Sequence, residues 1–194
     1  MLSFFHNREV IQLKIIRTIF QDFPSRLDAD DKSPKFILVL DMEDQLELST
    51  KDIPNLAQKL EIALPGIFPD ESSPLSHSCG GKGTDVEKHT FREEIENGTN
   101  IPHLMEHVML HLLSRRCNHC SAYRGQRSVD LDNGIETHYY LVMDYPSKLE
   151  AIVAADLAFQ IVSAWIEDRT VTIDPAVVLD GIRQMIEPMV SKAA

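Results

Sequence analysis

Tyr123-Arg124-Gly125-Gln126-Arg127-Ser128-Val129 and Glu136-Thr137-His138-Tyr139-Tyr140-Leu141-Val142-Met143 flank the tripeptide Asp132-Asn133-Gly134. Asn-Gly supplies the two adjacent positive-φ positions that a tight hairpin turn needs, a strong hairpin signal. Strands joined by so short a turn run antiparallel. After this hairpin, Pro146 and Ser147 open a long helix predicted to reach about Glu167, and Asp174-Pro175 caps a last helix to about Glu187. Before it, Pro102 sits in the first turn of a helix predicted to end near Ser114, and Val86 to Glu96 forms a shorter helix closed by Asn97-Gly98.

Further toward the N-terminus, residues 10 to 19 alternate β-branched and polar side chains, and Phe36 to Met42 is an apolar run; both read as strands, paired antiparallel. Turn formers fill Asp22 to Pro34 between them. Ser49-Thr50-Lys51-Asp52 offers caps for an amphipathic helix carrying Ile53, Leu56, Leu60 and Leu64, which Pro65-Gly66 ends. The order ββα, αα, ββ, αα gives an α+β fold, an antiparallel sheet of hairpin-joined strands with helices packed on it.

The chain has 194 residues, 43% apolar and 25% charged, which is the composition of one soluble globular domain over residues 1–194. Such a length buries roughly 70% of the unfolded surface and needs no disulfide staple. With 19 Lys and Arg against 30 Asp and Glu, the net charge of −11 excludes a basic nucleic-acid footprint and favours cationic partners. The N-terminus lacks a signal-peptide pattern, and the near-apolar run Ala151 to Ile166, broken by Asp156, Gln160 and Ser163, is too short for a bilayer and reads as a core helix. Trp165 belongs to that core. Three cysteines, Cys79, Cys117 and Cys120, are most simply reduced thiols, and a cytoplasmic protein is expected.

From Pro69 to Gly83 the chain is rich in Ser, Pro and Gly, but Cys79-Gly80-Gly81-Lys82-Gly83 lacks the spacing of a phosphate-binding loop. The sharpest motif is His103-Leu104-Met105-Glu106-His107. On a helix the two histidines stand on one face, about 6 Å apart along the axis, with Glu106 on the same side. Two imidazoles so placed can share a zinc ion, and the Glu can act as general base rather than ligand, as in the inverted zinc-peptidase pattern H-x-x-E-H. The competing reading is two partly buried histidines and a surface Glu on an amphipathic helix.

His111 extends the series, but about 12 Å of helix rise separates it from His103, so it reads as a neighbour rather than a ligand. Cys117-Asn118-His119-Cys120 is half of a structural zinc site, or a pair of spectator thiols. Acidic residues such as Asp28, Asp30, Asp31, Glu43, Asp44, Glu47, Glu93, Glu94 and Glu96 form either a solvated surface or a collar for guanidinium and ammonium groups.

Taken together, Leu64-Pro65-Gly66-Ile67, Glu94-Ile95-Glu96-Asn97-Gly98-Thr99, His103 to Val108, and Tyr140 to Tyr145 leading into Ala155-Asp156-Leu157-Ala158 resemble the N-terminal domain of cyanophycin synthetase, in the same order. The segments Ile11 to Arg17 and Ser49 to Pro54 share the resemblance, which thus covers nearly the whole chain. It implies an N-terminal domain standing without the ATP-dependent domains, and so no polymer synthesis. It also implies a partner, cyanophycin, a poly-aspartate bearing arginines through isopeptide bonds, and in some members a zinc peptidase site that cuts it.

Carried over by position, His103 and His107 would be zinc ligands and Glu106 the general base. The likeness to pitrilysin-type peptidases, which share the motif, implies Glu150 as the third ligand. Two positions depart from the family: His111 replaces an acidic residue, and Ser121 to Arg127 replaces a Gly-rich, Arg-bearing segment. The expected function is a zinc-dependent metallopeptidase acting on cyanophycin or another arginine-rich polypeptide. The alternatives are a non-catalytic binding module for such a polymer and a structural or regulatory protein whose histidines bind metal adventitiously.

Overall fold

The computed structural model of the chain describes residues 14–21, 35–42, 48–68, 90–114, 122–128, 138–145 and 147–190. Four strands, β1 Lys14–Gln21, β2 Lys35–Asp41, β3 Ala122–Ser128 and β4 His138–Asp144, form one antiparallel sheet in the order β1-β2-β4-β3. The two outer pairs are the pairs adjacent in sequence, and β2 and β4 join them at the centre. The turn Asp132-Asn133-Gly134, the Pro69–Gly83 segment and residues 10–13 lie outside the described residues.

Period-two alternation decides which face of the sheet is the core. Phe36, Leu38, Leu40 and Met42 are buried on one face, and register sets Met143, Leu141 and Tyr139 of β4 opposite the first three. The helices α3 Ile101–Ser114 and α4 Lys148–Ile166 join the same core through Leu104, Met105, Val108, Met109, Ala154, Ala158, Ile161 and Trp165. At the edge, β1 keeps Lys14, Arg17 and Thr18 exposed and carries a bulge between Ile15 and Arg17, features that discourage pairing with another chain. Across β2 and β4, Lys35 faces Asp144 and forms an ion pair with it although Lys35 is only 1% exposed.

Three boundaries differ from the sequence expectation. The capping residues at Ser49 serve a 3-10 turn, Thr50–Asp52, and helix α1, Leu56–Ala63, begins only after Pro54 and Asn55. Pro54 holds Ile53 extended and Asn55 adopts φ 55°, so helix cannot start earlier. The helix expected from Val86 begins instead at Phe91, after its cap Thr90; α4, capped by Ser147 as expected, runs Lys148–Ile166 and is long and apolar enough to cross a membrane, its apolar residues being accounted for by burial, with 56% of the most apolar window lying inside the fold. The last helix, α5 Pro175–Val190, runs past Glu187.

Candidate functional site

Helix α2, Phe91–Asn97, is joined to helix α3, which carries the motif, by the three residues Gly98 to Asn100. Thr90 starts α2 with a reciprocal cap: its hydroxyl accepts from Glu93 N at 3.3 Å while its own N–H donates to Glu93 Oε2 at 2.7 Å. Gly98 ends α2 with φ 99°, a left-handed conformation that favours glycine, and a Cβ there would sit 2.8 Å from Ser49 Oγ. Asn100 then caps α3, its Oδ1 accepting from His103 N at 2.9 Å.

These caps place the motif on a mostly buried helix. His107 is 6% exposed and Glu106 5%, whereas His103 is half-buried. The Glu is therefore not the surface residue of the competing reading. The two Nε2 atoms converge to 3.1 Å. His107 lies flat on Phe91, with centroids 3.6 Å apart and planes 5° from parallel, and His103 meets His107 edge to face. The Nδ1 of His103 lies 2.8 Å from Thr99 Oγ1. Phe91 does not stand out in the sequence, and Thr99 appears there only as the last residue of the Glu94–Thr99 segment that carries the family resemblance.

Ligands bound at about 2.0–2.1 Å to one tetrahedral zinc stand about 3.3 Å apart, so the imidazole pair fits two corners of such a site. Without a metal the same separation is that of an N–H···N hydrogen bond between the rings. Glu150, in the first turn of α4, is also buried, at 6%. Its backbone N–H donates to Ser147 Oγ at 3.2 Å and its Oε2 accepts from the same hydroxyl at 2.9 Å, a helix-capping arrangement. Among the described residues no three His, Cys, Asp or Glu side chains are gathered to hold a metal ion, so Glu150 does not complete a set with the histidine pair there.

His111 is half-buried one turn beyond His107. Glu93 and Glu96 are exposed on α2, where Arg92 bridges Glu61 at 2.9 Å and Glu96 at 3.8 Å, as a solvated surface would. Cys79, Cys117, His119 and Cys120, with Asp28, Asp30, Asp31, Glu43, Asp44 and Glu47, lie outside the described residues.

The structure thus defines an α+β domain whose largely buried helix α3 brings the imidazoles of His103 and His107 together just after the Gly98 turn. Residues 37–167, from β2 through the end of α4, match the cyanophycin synthase-like N-terminal domain, and the chain belongs to that family. No curated protein matches the chain significantly.

Proposed function

We propose that this domain is a zinc-dependent peptidase-like hydrolase acting on cyanophycin or a related arginine-rich, isopeptide-containing polymer. The observation that carries the proposal is the convergence of His103 Nε2 and His107 Nε2 to 3.1 Å. These two side chains would hold the ion, and Glu150 is the third position that the likeness to pitrilysin-type peptidases assigns. Zinc, when bound, supplies a Lewis acid that polarises an amide carbonyl and makes water more acidic.

The chain's own residues supply the rest. Glu106 takes a proton from the attacking water and passes it to the leaving nitrogen as the bond between carbonyl carbon and nitrogen breaks. Phe91 holds the His107 ring against rotation. A net charge of −11 favours a substrate carrying many guanidinium groups.

The test is Glu106→Gln assayed for shortening of arginine-bearing poly-aspartate. Zinc uptake is retained and hydrolysis lost if Glu106 is the base, because the base is not a ligand; hydrolysis at the wild-type rate in this variant contradicts the mechanism. One observation favours a non-catalytic polymer-binding module instead: the Glu150 carboxylate is engaged by Ser147 at the helix cap. Polymer affinity that survives chelation of the metal, with no hydrolysis by the wild type, would select that reading.

A further inference from the structure

Two buried or half-buried threonines outside the motif act on His103. Thr50 is 1% exposed and sits 49 residues from Thr99 in sequence. Its hydroxyl donates to Ile95 O at 2.9 Å and accepts from Thr99 N at 2.9 Å, while its backbone N–H donates to Thr99 O at 2.9 Å. Both backbone polar groups of Thr99 are therefore held by one residue. An antiparallel bridge between Ser49 and Asn100 and the close approach of Gly98 to Ser49 extend the clamp on either side.

The result is a Thr99 hydroxyl fixed 2.8 Å from His103 Nδ1. A neutral imidazole carries its proton on one nitrogen only, and the partner of the other nitrogen selects which. From this geometry we infer that Thr99 is a positioning residue, whose oxygen accepts the Nδ1 proton of His103 and leaves the Nε2 lone pair directed at His107, and that Thr50 holds Thr99 in place to do so. The effect on metal binding rests on the zinc reading above; the effect on the tautomer does not.

The experiment compares wild type, Thr99→Val, Thr99→Ser and Thr50→Val by long-range proton–nitrogen NMR of the metal-free histidines, followed by zinc titration. The expected result is the Nδ1–H form of His103 in wild type and Thr99→Ser, and a shift toward the Nε2–H form in Thr99→Val and Thr50→Val. Zinc affinity falls with it, by about 10–100-fold in Thr99→Val, the usual effect of losing such a partner, and recovers in Thr99→Ser. An Nε2–H wild type, or an unchanged tautomer in Thr99→Val, overturns the inference. A tautomer shift in a protein that takes up no zinc supports the positioning role while contradicting the zinc reading.

Discussion

Phe91 and His107 lie ring on ring, 3.6 Å between centroids and 5° from parallel, although one opens α2 and the other sits halfway along α3. The stack is what fixes the direction of the His107 nitrogen that approaches His103. Phe68 and Arg92 continue it outward, with Phe68 5.5 Å from Phe91 and the Arg92 guanidinium 4.3 Å above Phe68. Phe91→Leu keeps an apolar filler but loses the ring contact, at a cost of about 1 kcal/mol or more in stability. Chemical denaturation measures that loss, and zinc titration of the same variant is expected to show affinity weakened several-fold.

The corner at Gly98 combines a left-handed φ with a tight approach to Ser49. Gly98→Ala is expected to destabilise the domain by about 1–2 kcal/mol, more than the entropy gained by removing a glycine from the unfolded chain. Thermal unfolding checks this. An unchanged or raised midpoint would mean that the corner has room to relax.

Lys35 and Asp144 form a cross-strand ion pair in which the lysine side chain is almost wholly removed from water. Neutralising Asp144 removes the opposite charge facing a buried ammonium, so Asp144→Asn is expected to cost about 1.5–3 kcal/mol, whereas the double variant Lys35→Met with Asp144→Leu recovers most of it. Denaturant midpoints of the three proteins measure the difference, and equal stability of Asp144→Asn and wild type would contradict it.

Ser147 and Glu150 form the start of α4. Ser147→Ala is expected to lower stability by about 1 kcal/mol without changing zinc stoichiometry. Glu150→Gln is expected to weaken the cap in the same way. Zinc lost from Glu150→Gln but not from Ser147→Ala would assign Glu150 the ligand role that the likeness to pitrilysin-type peptidases implies.

Much of this architecture is legible along the chain because it depends on local patterns. The apolar run from Phe36, the strand about Tyr139 to Met143, and the caps at Ser147 and Pro102 each follow from a few neighbouring residues, and each element lies where they place it. The exception at α1 is local as well: Pro54 and Asn55 outrank the cap-like Ser49, which serves a single turn instead. The histidine pair is legible for the same reason, since i and i+4 on a helix must meet.

What brings the pair to one orientation is not local. Thr50 reaches Thr99 only through the packing of distant segments, and Phe91 and His107 meet from separate helices on either side of the Gly98 turn. Glu106 likewise is buried because α3 is covered on most of its circumference, with Leu104, Met105, Val108, Met109, Leu112 and Leu113 all inside. Periodicity within the helix does not disclose that covering.

His103 and His107 are proposed to hold a zinc ion together. Elemental analysis of dialysed protein, after reconstitution with zinc, measures it most directly when wild type is run beside His107→Ala. The expected result is about one zinc per chain in the wild type and almost none in the variant, since a single remaining imidazole does not retain the ion. A wild type without zinc, or a variant that keeps as much as the wild type, would contradict the claim.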